Sequence, residues 1–391
     1  MKIWIDGKEA NQENRVGSGQ YAFEVIRNLE KIDQENEYTI LLPSPPLPDL
    51  PKTRKNWKYR VLKPGRLWTR ITLPTALYLT RNKPDLIFSP THYIPRFSPV
   101  KRICTIFDLA YLHFPEMFAP RDLWQLKNWT KFSAEFADKI LAISEFTKKD
   151  IMKNYDVDPE KITVTPLGFD RELFKPVRDR KKIVKVLMKY RIREPFITYI
   201  GTIQPRKNLV RLMEAFSRID YTPGVSTQSS AGLHTVGGTL QLVVVGKTNE
   251  RGRKGWMFED ILKTPKQLGI ETQVNFTGFV PTEDLPALLS ASTMFVLPSL
   301  WEGFGIPVLE AMACGAPVVV ASVSSLPEVA GKAGVLVDPY SVESISKAIE
   351  SLLKDEKFRQ KKVQLGLEQA KKFSWEDCAR KTLEVFKHGF I

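Results

Sequence analysis

Glu302 and Glu310 lie in the run Leu297-Pro-Ser-Leu-Trp301-Glu302-Gly303-Phe304-Gly305-Ile306-Pro307-Val308-Leu309-Glu310. A carboxylate accepts paired hydrogen bonds from neighbouring hydroxyls, so two of them at one loop suit a sugar or a ribose. The residues before the loop, Met294–Pro298, read as a strand, and Pro307–Ala313 reads as a helix with proline at its first position and Glu310 in its first turn. Such a loop presents free backbone N–H groups and the positive end of a helix dipole, which together make an anion site. Gly303 and Gly305 let a ligand come close to the backbone. A second cluster, Tyr199-Ile-Gly-Thr-Ile-Gln-Pro-Arg206-Lys207-Asn-Leu, sets two cations after another strand. There they can neutralise phosphate and stabilise charge growing on a leaving group. The plainer alternative is a Glu310 that only complements the helix dipole and a solvated Arg206–Lys207 turn.

Other patterns carry less. Gly17-Ser18-Gly19-Gln20-Tyr21-Ala22 fits a dinucleotide fingerprint and opens a helix, but the strand Tyr38–Leu42 ends in Pro43-Ser44-Pro45 without the ribose-binding acid. Asp156-Val157-Asp158 spells a D-x-D that falls at the amino end of a strand, and it reads as a turn. Four scattered histidines show no metal-ligand spacing, and Cys104, Cys314 and Cys378 lie too far apart to suggest a disulfide framework or a zinc site.

The elements that must position these residues are short apolar strands alternating with helical patterns, the signature of βα units in parallel sheets. In the first half the expected strands are Lys2–Asp6, Tyr38–Leu42, Tyr59–Leu62, Leu86–Ser89, Ile103–Phe107, Lys139–Ile143 and Ile162–Pro166. In the second they are Phe196–Thr202, Leu240–Val245, Val274–Thr277, Met294–Pro298, Val318–Ala321 and Val335–Val337. Residues 1–170 and 195–374 are therefore expected as two doubly wound α/β domains, with 171–194 as a charged linker and the helix from Trp375 following. Two such domains facing across a cleft place ligands at the carboxyl ends of their strands. Tyr221–Thr239, rich in Gly, Ser and Thr, reads as a flexible insertion.

The 391 residues suffice for two cored domains. No apolar run is long enough to span a bilayer, and the charged N-terminal residues lack a signal-peptide core, so a cytoplasmic location is expected. A formal charge of +14 favours anionic partners. Much of it sits between Lys52 and Arg70, where Lys52, Arg54, Lys55, Lys58, Arg60, Lys63, Arg66 and Arg70 interleave with Trp57, Tyr59 and Trp68. That stretch suits a peripheral contact with an anionic membrane surface, a single-stranded nucleic acid or plain solvent. No nucleic-acid module accompanies it, so no nucleic-acid partner is expected.

The phrase Glu302-Gly-Phe-Gly with Glu310, followed by Ala-Met-Ala-Cys-Gly-Ala-Pro-Val-Val, resembles the paired-glutamate motif of glycosyltransferase family 4, retaining enzymes of the GT-B fold. The resemblance runs through nearly the whole chain. It implies that Glu310 holds the nucleotide ribose, while Glu302, Gly303, Phe304 and Gly305 meet the donor sugar. It also implies that Gly201, Arg206 and Lys207 belong to a diphosphate-binding loop and that Val280, in Phe276-Thr-Gly-Phe-Val280, contacts the base. Gly17 and Gly19 then match a loop approaching the diphosphate and acceptor. Ile103-Cys-Thr-Ile-Phe107-Asp108 is similar to a segment that usually ends in His-Asp, but Phe107 stands at the His position, which leaves Asp108 as the catalytic or acceptor-orienting candidate. His92 and, in Leu141-Ala-Ile-Ser144-Glu145, Ser144 are the acceptor-side candidates, and the helix from Trp375 is expected to return to the N-terminal domain.

The implied reaction transfers a hexosyl unit from a nucleoside-diphosphate sugar, with GDP-mannose favoured by the Pro-Arg-Lys-Asn-Leu phrase, to a glycan or lipid-linked acceptor. It uses no cofactor and no obligatory metal. Rival readings are a nucleotide-sugar epimerase on the same fold, a dinucleotide-dependent dehydrogenase and a basic nucleic-acid-binding protein.

Overall fold

The computed structural model describes residues 1–15, 17–221, 227–229, 232–234, 238–247 and 259–388. The chain divides into two units: Met1–Pro115 with Pro120–Gly168 and Ser374–Ile391, and Phe169–Phe373 with Glu116–Ala119.

The first unit is built on β1 (Lys2–Asp6), β2 (Glu37–Leu42), β3 (Trp57–Val61), β4 (Leu86–Ser89), β5 (Lys101–Ile106), β6 (Lys139–Ala142) and β7 (Ile162–Val164). These form a wholly parallel sheet in the order β3-β2-β1-β4-β5-β6-β7. The second unit carries β8 (Phe196–Ile200), a short antiparallel pair β9 (Thr227–Ser229) and β10 (Gly232–His234), then β11 (Gln241–Val245), β12 (Val274–Gly278), β13 (Met294–Leu297), β14 (Val318–Ala321) and β15 (Val335–Val337). Its main sheet is also parallel, in the order β12-β11-β8-β13-β14-β15. Central strands such as β11, β13 and β14 are buried along their whole length, as continuous Val, Leu and Phe runs require when helices cover both faces.

Strand order reverses direction between β1 and β4 in the first sheet and between β8 and β13 in the second. At such a switch point the loops leaving adjacent strands diverge to opposite faces and open a crevice at the carboxyl ends.

The helix Trp375–His388 packs on the helix Ser18–Ile32 of the first unit. Trp375 lies 6.3 Å from Tyr21 and Phe386 lies 5.2 Å from Phe88, ring centre to ring centre. Gly168 permits this return, because a Cβ there would stand 2.1 Å from the backbone nitrogen of Trp375.

Two expectations need correction, and a third falls mostly outside the described residues. The stretch 171–194 is part of the second unit: Arg180–Lys189 is a helix burying Ile183, Val186 and Leu187 and packing against the helix Leu285–Ala291. Its lysines and arginines masked an apolar stripe at helical spacing. The aromatics interleaved with the basic run point inward, with Trp57 and Trp68 buried and Tyr59 donating to the Pro51 carbonyl, because β3 pairs with β2 and lies on the core. Arg54 is likewise engaged, with the Glu30 and Asp33 carbonyls at a helix C-terminus and with the Glu30 carboxylate. Of Tyr221–Thr239, only β9 and β10 and its two ends are described, and the remainder lies outside the described residues.

Among the described residues, no helix is long and apolar enough to cross a membrane.

Candidate functional site

At the second switch point the loop after β8 meets the loop after β13. Gly201 opens the first, its N–H donating to the Val245 carbonyl (3.0 Å). Pro205–Lys207 then makes one turn of 3-10 helix, ended by Asn208 in the left-handed region (φ 62°). The Asn208 amide ties its loop to those after β13 and β15 by donating to the carbonyls of Pro298 (2.9 Å) and Pro339 (2.7 Å), and the Leu300 N–H donates to the Arg206 carbonyl (2.9 Å). The result is a rigid frame for two cations.

Both cations converge on one carboxylate. Lys207 Nζ lies 2.5 Å from Glu302 Oε1 and an Arg206 guanidinium nitrogen lies 3.8 Å from Oε2, while Arg206 also donates to the Trp301 carbonyl. Burial by itself would raise the Glu302 carboxyl, but Lys207 and Arg206 hold it below the usual carboxylate value. Two serines that the sequence reading passed over fix the loop carrying Glu302. Ser325 Oγ donates to the carbonyls of Glu302 (2.9 Å) and Phe304 (3.0 Å), and Ser324 Oγ accepts the Glu302 N–H (3.2 Å). Their only signal was a Ser-Ser pair directly before the helix Leu326–Ala330.

Gly303 and Phe304 are buried, and the Phe304 ring meets Phe373 edge-on at 5.7 Å. Gly305 precedes the helix Ile306–Ala313 at φ 104°, and a Cβ there would stand 2.8 Å from Leu326, so this position requires glycine. The helix begins one residue earlier than expected, which puts Pro307 at its second position and Glu310 in the second turn, because Gly305 already turns the chain into it. No side chain caps this N-terminus. Glu310 is half-buried, and burial pushes its carboxyl up to about 8, with the negative charge of Asp170 adding to the effect. No cation among the described residues pairs with it. Val280 is buried just beyond β12, beside an exposed Phe279 that Lys247 approaches at 4.5 Å.

At the first switch point a cavity of about 490 Å³ opens over the carboxyl ends of β1, β4 and β5. Its wall includes Asp6, His92, Phe107, Ser18, Trp68 and Trp129. Gly17 (φ 53°) and Gly19 stand at the start of the helix Ser18–Ile32 that contributes Ser18. Asp108 closes an Asx turn, accepting the Ala110 N–H (2.9 Å).

His92 lines this cavity, its Nε2 accepting the Phe107 N–H (2.9 Å) and its ring stacking on Phe107 at 5.4 Å. Burial lowers its pKa to about 4, so it stays neutral at physiological pH. Ser144, expected on the acceptor side, is fully buried and caps the helix Glu145–Tyr155 by accepting the Thr147 N–H (3.0 Å). His113 pairs with Asp150 at 2.9 Å. Asp156 and Asp158 end one helix and start the next turn. Among the described residues, no group of three or more His, Cys, Asp or Glu side chains could hold a metal ion.

The residues missed here are Asp6, Trp68 and Trp129. They stand far apart in the chain, and the first two read as strand end and surface aromatic.

Family profiles match both halves of the chain: one described as "Glycosyltransferase Family 4" over residues 16–173 and one described as "Glycosyl transferases group 1" over residues 187–368. The O-antigen chain mannosyltransferase B of Escherichia coli is 29% identical over 388 residues, covering 95% of this chain and 96% of that protein. The serotype-specific mannosyltransferase WbdA of Escherichia coli is 31% identical over 291 residues, 74% of this chain, and the match spans 33% of WbdA's own length. Among solved structures, a sucrose-phosphate synthase from Thermosynechococcus elongatus superposes with a TM-score of 0.75 at 19% identity, covering 100% of this chain and 99% of that one. Anabaena Alr3699/HepE, in complex with UDP and glucose, superposes with a TM-score of 0.73 at 18% identity, covering 99% of both chains. At these identities the structural likeness establishes the fold.

Proposed function

The chain belongs to the group 1 glycosyltransferases of family 4, and from that premise we propose that it transfers a hexosyl unit, mannose from GDP-mannose by preference, to a hydroxyl of a glycan or lipid-linked acceptor. The observation that carries this reading is the convergence of Arg206 and Lys207 on Glu302 at the second switch point. Two fixed cations beside an uncapped helix N-terminus form a charge-stabilising site for a diphosphate leaving group. The mannosyltransferase names of the relatives support the sugar.

In the proposed reaction the bond from the anomeric carbon to the diphosphate oxygen breaks, and its electron pair departs with the diphosphate. The acceptor oxygen forms its bond to the same carbon from the same face, and its proton passes to the departing phosphate oxygen. Configuration is retained without an enzymic nucleophile. Arg206 and Lys207 take the growing negative charge, which stabilises the transition state more than the ground state. Glu302, released from Lys207 as phosphate binds, turns its carboxylate to sugar hydroxyls, and Glu310 accepts from the ribose diol. Asp108 orients the acceptor.

A thermal-shift screen against GDP, UDP, ADP, their mannose and glucose conjugates, NAD and an oligonucleotide tests this, because a ligand that binds only the native state raises the melting temperature. Stabilisation by one nucleoside diphosphate, abolished in Arg206→Ala and Glu310→Ala, supports the donor site and names the base. Stabilisation by NAD or the oligonucleotide alone refutes it.

A further inference from the structure

We infer that the helix Glu145–Tyr155 positions Asp108: its polar face, carrying Thr147, Asp150 and Tyr155, holds the segment Phe107–His113 in one conformation and so aims the Asp108 carboxylate. The inference rests on the glycosyl-transfer reading above and adds to it residues that meet no substrate themselves and act through Asp108.

The segment needs support from outside. Asp108 follows Phe107, which lines the cavity, and the negative charge of Asp108 acts on His92 in the same wall. Next comes a helix of only four residues, Ala110–His113, whose flanking residue Leu109 supplies no side-chain cap. A single turn of helix has little stability of its own, because nucleation costs more than one turn returns. Asp108 accepts the Ala110 N–H, so disorder in that turn becomes disorder in the carboxylate.

Support comes from one face of one helix. Thr147, Asp150 and Asn154 are spaced by three and four residues and share that face, with Tyr155 beside them. Thr147 Oγ1 donates to the Phe107 carbonyl (3.0 Å), the oxygen of the peptide that joins Phe107 to Asp108. Asp150 meets His113 Nε2 through both carboxylate oxygens (2.9 and 3.1 Å), and the Tyr155 hydroxyl meets that of Tyr111 (2.8 Å). The start, middle and end of the segment are each tied to the same helix.

The ties are themselves braced. Ser144 Oγ accepts the Thr147 N–H and donates to Thr147 Oγ1, both at 3.0 Å, which leaves the threonine proton for Phe107. Asn154 donates to Asp150 Oδ1 (2.8 Å). From the cavity wall, His92 Nε2 accepts the Phe107 N–H, so Phe107 is held through both of its backbone groups. Ser144, Thr147 and Asp150 are buried, and a carbonyl that loses its donor in such a place is costly. A helix start needs only the serine cap. The further bonds from Thr147, Asp150 and Tyr155 all run to the strand exit that carries Asp108.

The test is hydrogen exchange read by mass spectrometry on the full chain, which reports local opening apart from global unfolding. Thr147→Val and His113→Ala should each speed exchange over residues 107–113 about tenfold or more, Thr147→Ser should stay within about twofold of the unmodified protein, and β1 and β4 should keep their protection. Exchange over 107–113 that is unchanged in both variants, or that rises equally in β1 and β4, overturns the inference. The second readout is nucleoside-diphosphate release from GDP-mannose with methyl α-D-mannopyranoside as acceptor. Thr147→Val should lower kcat about tenfold to a hundredfold with KM for the nucleotide sugar little changed, and Thr147→Ser should restore most of the rate. The effect should vanish on an Asp108→Ala background, since a residue that acts only through Asp108 has nothing left to position. A rate undiminished in Thr147→Val or in Asp108→Ala, or a loss that adds in full to that of Asp108→Ala, overturns the inference. Failure of the glycosyl-transfer reading registers separately, as no nucleoside-diphosphate release by the unmodified protein, and the exchange measurement then decides the positioning alone.

Discussion

The two units use the same device and fill it with opposite chemistry. Each is a parallel sheet whose strand order turns back at one place, β1 beside β4 in the first unit and β8 beside β13 in the second. At the second, two cations close on a buried carboxylate. At the first, a neutral histidine, two tryptophans and a buried aspartate surround a cavity. The topology decides where a ligand goes, and the side chains at the strand ends decide what it is. Charge that must be neutralised calls for fixed cations, and the first cavity, lined by aromatics with Asp6 and Glu9, offers Lys8 as its one lysine or arginine.

Breaking the charged side should have the largest effect. With the nucleotide sugar identified by the thermal-shift screen, Arg206→Ala and Lys207→Ala should each slow nucleoside-diphosphate release by about a hundredfold to a thousandfold. Rates within twofold of the unmodified enzyme would remove these residues from the transition state.

Two glycine substitutions separate the units by stability. Gly168→Ala forces a methyl group into the Trp375 backbone and should cost about 3–5 kcal/mol in calorimetry, through loss of the Trp375–His388 helix from the first unit. Gly305→Ala, at φ 104° and against a movable Leu326 side chain, should cost about 1–3 kcal/mol and abolish the diphosphate shift. A diphosphate shift unchanged in Gly305→Ala would show that the turn does not shape the donor site.

Glu310 sharpens the comparison through pH. Its folded pKa of about 8 lies above its ordinary value, so its ionisation opposes folding. The stability it contributes is complete below about pH 4.5 and is lost as the pH rises through 8. Glu310→Gln should therefore melt a few degrees higher than the unmodified ligand-free chain at pH 8 and about equally at pH 4.5. An advantage that is flat with pH would contradict the burial argument.

The smallest expected effect concerns the first unit's surplus charge, which lies on its edge strand β3 and the adjoining loops. Lys58 is exposed on that strand, and Lys58→Gln should weaken co-sedimentation with phosphatidylserine vesicles about fivefold, near 1 kcal/mol. Unchanged sedimentation would leave this face to solvent.

The two sites were unequally legible in the sequence. Arg206, Lys207, Glu302 and Glu310 fall within two short phrases, each a strand, a turn and a helix start, so local reasoning finds them. Even there the phrase could not show that Glu302 is the resting partner of both cations, since that pairing joins β8 to β13 and depends on the strand order. The cavity of the first unit draws on Asp6, Trp68, His92, Phe107 and Trp129, which only the folded sheet brings together. Trp68 read as a surface aromatic because its neighbours are basic, when its indole is in fact bound to Asp6. The Ser-Glu-Phe-Thr phrase that offers Ser144 is also a helix start, and its hydroxyl caps that helix. The strands themselves were legible almost throughout, since β-rich runs buried on both faces leave little ambiguity.

The return of the Trp375–His388 helix to the first unit also sets an order of synthesis. The first unit needs residues from both ends of the sequence, while the second, apart from Glu116–Ala119, is one continuous stretch. On the ribosome, the second unit is complete in sequence before the first has its last helix. The unit whose strands are made earlier is therefore the one that receives its last helix later, and until then the face of Ser18–Ile32 that receives this helix stands uncovered.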